Sequence, residues 1–467
     1  MISSKINAKF KSQFQNWLFT ALLPIVFSCD SFVDVDIPKS QLTRPAVFES
    51  AATANAAVTD IYSKMRDQGL LSGISVGCTS LLGNYTDELQ NFASPGDPSI
   101  PFFNNALLAS NISIENLWNA AYNQIYSANA VLEGLENNNT LNINDKSSLR
   151  GESLFIRALI HFYLTNLYGE VPYITTTDYL ENKRADKYST DANYKLIIND
   201  LEKAVELLPA SYKNLDRTRP NQFAVLSLLS RVYLYDGKWA ESANAASAVL
   251  NATSLYQLEP LLNVFTKKSK ETIWQFQPSR IGKNTDEGST FTFITGPPPL
   301  FALTTDLVNS FASTDQRKTA WIKVVSKNSQ SWYHSYKYKL NINTSESLEY
   351  SIIFRLAEQY LIRAEARAKL GDVIGAKEDL DIIRKRAGLA VNEAISKDEI
   401  LKAILLERRF ELFLEFGHRF FDLQRSKTLN TVLPALKPGW NLEDGLFPIP
   451  QNEININPNL LPQNYGY

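Results

Sequence analysis

The chain has 467 residues, 44% of them hydrophobic and 21% charged, with a net charge of −2 at neutral pH. These are globular values, with enough chain to bury one large or two ordinary cores, and the charge excludes a nucleic-acid surface built on excess positive charge. Two cysteines, Cys29 and Cys78, exclude a disulfide framework and a Cys-rich metal site. The three histidines, His161, His334 and His418, are far apart and carry no metal-ligand spacing, so each reads as a structural or surface residue. No cofactor is expected. A calcium ion in a carboxylate-rich loop would be compatible with the composition, but no ligand spacing speaks for one.

Residues 1–28 have the form of an export signal. Lys5, Lys9 and Lys11 precede an apolar run from Trp17 to Phe27, which is too short to span a bilayer. Ser28 then sits directly before Cys29, with Val26 two residues further back, an arrangement that resembles the bacterial lipobox. It implies a diacylglycerol on the Cys29 thiol and a mature chain of residues 29–467, which leaves Cys78 without a partner. Several acyl chains give stable attachment, and no later stretch reaches transmembrane length without charges, so the protein is expected to be anchored to a membrane without spanning it.

The body reads as mainly α. Apolar residues recur at three-to-four spacing over residues 45–68, 114–136 and 146–168, where Gly169 stops the last of these helices. Further helices are expected over 191–208, 220–236, 239–251, 350–370, 373–387 and 397–424. Two pairs have the look of tetratricopeptide units. In one, Gly237 makes the turn before Trp239, with Ala243 and Ala246 small at the crossing. In the other, Ala364 and Ala368 precede the turn at Gly371, and Ala376 and Leu380 follow it. Long insertions separate the pairs, so a globular helical scaffold is expected and not a free solenoid.

Between the helices lie long polar stretches bearing aromatics, at 81–112, 276–300 and 312–349. Loops of this length inside a compact protein are usually functional. Short strands are expected near Thr272–Phe276 and Trp332–Tyr338.

Six segments in order make the chain resemble the SusD/RagB family of Bacteroidetes outer-membrane lipoproteins. They are the stretch after Cys29, WNAAYNQIYSANAVLEGL (118–135), RGESLFIRALIHFYLTNLYGEVPYI (150–174), IFRLAEQYLIRAEARAKLG (353–371) with LDIIRKRAGL (380–389), ILLERRFELFLEFGHRFFDLQR (404–425) and the C-terminal LFPIPQNEININPNLLPQNYGY (446–467). The resemblance implies one SusD-like domain over 29–467, with an N-terminal part to about 270 and a C-terminal part from about 271. It implies a protein on the outer face of the outer membrane that captures oligosaccharide, or in some members peptide, as the hinged lid of a SusC-like TonB-dependent transporter. Asp30, Asp34 and Asp36 are then either a solvated tether or a surface-export signal. Within 404–425, Arg408–Glu411, Glu415–Arg419 and Asp422–Arg425 are within reach on one helix, and Glu411 and Glu415 need cations beside them; an ion network joining helices is expected there.

Capturing a sugar needs aromatic rings for its C–H faces and amides or carboxylates for its hydroxyls. The first loop offers Asn84, Tyr85, Asp87, Glu88, Gln90, Asn91, Phe92, Phe102 and Phe103. The second offers Gln275, Gln277, Arg280, Phe291, Phe293 and Phe301, and the third Trp321, Trp332 and Tyr333. Asn84, Tyr85, Asp87, Phe92, Phe291, Phe293, Phe301, Trp321, Trp332 and Tyr333 are the principal candidates. A glycosidase is the main rival and would need two carboxyl groups flanking a bond, but neither Asp87 nor Glu88 comes with a partner motif, and no nucleophile elbow, zincin helix or phosphate-cradling loop is present. A scaffold that binds only protein is the second rival.

Overall fold

A computed structural model describes residues 44–467, so Cys29, the export signal and the acidic cluster lie outside the described residues. Eleven helices carry the argument: α1 (Ala51–Asp67), α2 (Cys78–Tyr85), α3 (Ile112–Glu136), α4 (Ile143–Tyr168), α5 (Thr190–Leu207), α6 (Gln222–Tyr235), α7 (Trp239–Leu250), α8 (Leu356–Leu370), α9 (Val373–Arg386), α10 (Lys397–Glu411) and α11 (His418–Arg425). Six strands accompany them: β1 (Leu89–Asn91), β2 (Thr272–Phe276), β3 (Phe301–Leu303), β4 (Ile322–Lys327), β5 (Gln330–Ser335) and β6 (Ser351–Arg355). The fold is mainly α, as the periodicity predicts.

From α3 to α10, each helix packs on the next in chain order. This holds even across residues 251–355, since α7 lies against α8. The crossings use small residues: Ala246 and Ala366 meet with Leu234 and Ile362, and Ala357, Ala364, Ala368 and Ala376 meet with Leu380, Ile383, Ile400 and Ile404. A helix pair with such a face cannot bury it alone, which is why the pairs stack. The helix starts are set by side-chain oxygens that accept otherwise unpaired amides. Asn111 caps α3, Asn221 caps α6, and Ser396 and Glu399 form a reciprocal capping box at α10.

Two expected helices end differently. Residues 351–355 are strand β6, paired antiparallel with β2, so the helix expected from 350 begins at Leu356. The helix expected over 397–424 is two helices, α10 and α11, broken where Leu414 (φ 50), Phe416 (φ 46) and Gly417 (φ 81) take left-handed backbone. A Cβ on Gly417 would lie 2.2 Å from Leu82 Cδ1. Gly417→Ala is therefore expected to lower stability by about 1–3 kcal/mol, combining backbone strain with this clash. Urea unfolding would measure it, and a loss below a few tenths would show that the break tolerates any residue.

The break separates the charged residues that the sequence places on one helix. Only Asp422–Arg425 is a local pair, at 2.6 Å. Arg408 instead reaches Asp422 at 2.8 Å, and Arg419 leaves this segment altogether for Asp87. The expected network joining helices is present and, apart from the partly exposed Arg384, buried. Arg355, at the end of β6, donates to Glu411 Oε1 at 2.6 Å, Glu415 Oε2 at 2.7 Å and Glu271 Oε1 at 3.1 Å. Arg317 reaches Asp315, Glu407 and Glu411, and Arg386 reaches Glu271 and Glu411. Lys337 meets Glu415, and Arg384 meets Glu407. Cations and carboxylates are equal in number, so the lattice is neutral while it ties β2, β6 and the 312–349 segment to α9 and α10.

The remaining strands form one antiparallel sheet in the order β1–β3–β5–β4. β1 is an edge strand that pairs Leu89 with Leu303 and Asn91 with Phe301. One sheet face covers a core of Leu89, Phe291, Phe301, Leu303, Trp321 and Phe413, with Tyr333 partly buried against it. The loops expected to carry function thus rest on a packed floor.

Candidate functional site

The segment after α2 is built from the inside out. Tyr85 is fully buried among Phe102, Phe420, Trp440 and Phe447, with ring centroids 5.3–6.2 Å away, and its hydroxyl donates to Asp444 at 3.1 Å. Asn84 is buried and donates to the Ser80 carbonyl, while its Oδ1 accepts from Asn91. Asp87 is gripped by two arginines: Arg419 Nε donates to Oδ1 at 2.7 Å, and Arg409 Nη2 donates to Oδ2 at 2.7 Å. Burial opposes its ionisation, yet Arg419 and Arg409 together hold it below the usual carboxylate range. Glu88 points inward and accepts the Leu414 amide. Burial, and then the Asp87 charge, raise it to about 7.

Outside this floor, a cleft of about 720 Å³ opens along β1. Its walls carry Gln90 from the strand, Phe103 and Asn104 from the end of the short helix Ile100–Phe103, Thr305 and Asp306 from the segment after β3, and Lys437–Gly439 from a turn near the C-terminus. Because Glu88 O and Phe92 N–H are bonded to Thr304 and Leu300 beside β3, the alternation of an antiparallel pair turns the Leu89 and Asn91 backbone groups toward the open edge. The cleft therefore combines a half-buried ring, side-chain amides, hydroxyls and an unpaired strand edge. That is the equipment for gripping a polyhydroxylated ligand.

On the sheet face opposite the core, Trp332 lies flat on Gly296, where a Cβ would come within 2.1 Å of the indole. Phe293 is tucked against His334 at 4.9 Å between ring centroids, and Lys327 donates to the Gly296 carbonyl at 3.1 Å. Trp332 remains half-exposed, and so does Phe92 at the end of β1.

Residues 33–234 match the SusD-like profile described as starch-binding and associating with the outer membrane, and residues 284–467 match the SusD family profile. The chain belongs to the SusD/RagB family. Two SusD-like proteins of Formosa agariphila are 23% and 26% identical, each over 96% of this chain and 98% and 99% of their own. Among solved structures, a SusD superfamily protein from Bacteroides vulgatus superposes with a TM-score of 0.78 at 21% identity, covering 90% of this chain and 99% of its own. A laminarin-binding SusD-like protein superposes with a TM-score of 0.75 at 23% identity, covering 89% and 99%.

Within this SusD/RagB frame, the residues singled out from the sequence divide. Asn84, Tyr85, Asp87, Phe291, Phe293, Phe301 and Trp321 are all buried. Trp321 donates its indole N–H to the Leu261 carbonyl at 2.8 Å inside the core, and Phe291 and Phe301 pack beside each other. The five aromatic rings are enclosed and have no face left for a ligand, Asn84 is bonded beneath them, and Asp87 borders the cleft with both its oxygens accepting from arginines. Phe92, Trp332 and Tyr333 are half-buried, as are Gln90, Asn91 and Phe103. Gln275 is buried and bonded to the carbonyls of Asp216 and Lys267, whereas Gln277 and Arg280 line a separate cleft of about 600 Å³. The polar cleft residues missed by sequence reasoning are Asn104, Thr304, Thr305, Asp306 and the 436–439 turn. The Pro438-Gly439 dipeptide signals that turn, but nothing local brings it to β1.

All three histidines are buried. His161 is held neutral: its Nδ1 bonds the Arg157 carbonyl and its Nε2 accepts the Ile174 amide, while burial pulls its pKa to about 3. Among the described residues, no group of three or more His, Cys, Asp or Glu side chains is gathered to hold a metal ion, and no helix is long and apolar enough to cross a membrane. Cys78 is a buried free thiol, and burial pushes it up.

Proposed function

We propose that this protein is a non-catalytic, lipid-anchored lid on the outer face of the outer membrane, which captures oligosaccharide in the β1 cleft for a SusC-like TonB-dependent transporter. The observation that carries the reading is the cleft itself, in which the Phe103 ring, Gln90, Asn104 and Thr305 converge over a floor fixed by ion pairs. Family membership supports it, as does the fold shared with a laminarin-binding relative. The anchor is the Cys29 thiol, and the stacked helix faces are the surface for the transporter. The carboxylates support the non-catalytic reading: Asp87 is gripped by two arginines, Asp306 is bonded to Arg409 and Glu88 faces the interior, so no free pair is set to flank a glycosidic bond.

Titration calorimetry against a panel of polysaccharides, oligosaccharides and peptides tests the reading. Phe103→Ala is expected to weaken binding of the active glycan at least tenfold, because ring stacking supplies about 1 kcal/mol or more of contact energy beyond its area. Its melting temperature should stay within a few degrees of wild type, since the ring is only half-buried. Unchanged affinity would remove the β1 cleft from the site and turn attention to Trp332. Binding of peptides alone would keep the lid and change the cargo.

A further inference from the structure

Lys437 is out of place for a surface turn. It lines the β1 cleft, yet it is only 6% exposed. Its ammonium donates to the carbonyls of Asn84 and Phe103, each at 2.6 Å, and stands 4.2 Å from the centroid of the Phe103 ring. An ammonium has three N–H groups, and the two carbonyls take two of them.

The neighbouring charges are already matched. Arg419 and Arg409 share the Asp87 carboxylate, and Arg409 Nη2 also donates to Asp306 at 2.8 Å. Glu88 is turned away toward Leu414. Two guanidinium groups thus bond the two carboxylates, and the ammonium of Lys437 has no carboxylate bonded to it, feeling the Asp87 charge only through space. Buried charges in folded proteins are ordinarily paired, because an unpaired one is costly to desolvate. Burial does draw Lys437 down, to about 8, which leaves it charged at neutral pH. A clamp that only pinned the 436–439 turn to α2 would use the two carbonyl bonds and would have no need of the surplus charge at a cleft wall.

Building on the capture reading above, we propose that the β1 cleft selects anionic saccharides, and that Lys437 is the specificity residue that meets a carboxylate or sulfate-ester substituent on the sugar. The substituent takes the third N–H and supplies the missing counter-charge. The ring lies along Phe103, and Gln90, Asn104 and Thr305 are placed for its hydroxyls.

The test begins with the ligand, so it does not depend on any variant folding. Full-length protein in detergent is titrated with an oligouronate, the same oligosaccharide with its carboxyl groups reduced to alcohols, a sulfated oligosaccharide and an acidic peptide. The expected result is at least tenfold tighter binding of the oligouronate or the sulfated sugar than of the reduced one, with a preference that shrinks as salt is raised. Which of the two binds identifies the substituent. Lys437→Met should bring the preference to near unity, and Lys437→Arg should keep part of it. Equal affinity for charged and reduced sugars would overturn this inference and leave the capture reading standing. Lys437→Met with the preference intact would remove Lys437 from the role. No binding of any saccharide would overturn both this inference and oligosaccharide capture, and binding of the acidic peptide alone would do the same while keeping the lid with a peptide cargo.

Discussion

Glu411→Gln is expected to cost about 3–5 kcal/mol of stability, because it leaves Arg317, Arg355 and Arg386 facing a neutral amide inside the protein. The size of the effect reflects the stranded guanidinium groups more than the intrinsic worth of the bridges. A buried lattice of this kind adds little over a well-packed apolar core, but it punishes the loss of any one partner. Urea unfolding followed by tryptophan fluorescence would measure the loss, and a change below 1 kcal/mol would mean that water reaches the lattice. The same variant carries a pH signature. Burial alone would raise the Glu411 carboxyl, but the combined charges of Arg386, Arg355 and Arg317 hold it well below its ordinary value of 4.5. Its folded pKa therefore lies below its unfolded one. The stability it contributes is present above about pH 4.5 and is lost as pH falls through the folded value. The advantage of wild type over Glu411→Gln should be constant from neutral pH down to about 4.5 and should shrink below it. An advantage that began to shrink already near pH 6 would contradict the depressed pKa.

The second large effect is at Tyr85. Tyr85→Ala is expected to lower stability by about 3–5 kcal/mol. The ring is enclosed by Phe102, Phe420, Trp440 and Phe447, and the change also removes the nearer of two phenol donors to Asp444. Any binding defect in this variant should appear together with a fall in melting temperature and should not appear without one. Phe103→Ala makes the contrast, since it should lose ligand and keep its fold. If Tyr85→Ala melted like wild type and lost binding alone, the aromatic cluster around it would have to open to solvent in the ligand-bound protein.

Much of this protein is legible in its sequence because the relevant physics is local. Helical periodicity, small residues at crossings and capping side chains act over three or four residues, so the helices and their pairing into repeats could be read from the chain. The strand Thr272–Phe276 was visible for the same reason, through alternation, whereas the strand expected at Trp332–Tyr338 lies at Gln330–Ser335 and shares only its first four residues. The family motifs extended that reading to the whole chain. What the sequence could not decide was which way each loop residue faces. Tyr85 and Phe103 fall in one stretch that the sequence reads as a loop and have similar chemistry, but Tyr85 ends helix α2 in the core and Phe103 lines the cleft, because Asp444, Phe447 and Lys437, more than 300 residues away, close over the first and border the second. Likewise, the charges of 404–425 looked like partners on one helix. The left-handed turn at Leu414–Gly417 sent Glu415 to Arg355 and Arg419 to Asp87. Local propensity fixes elements; the burial of a side chain and the partner of a charge are set by segments brought together only when the whole chain has folded, and the candidate site is made of those.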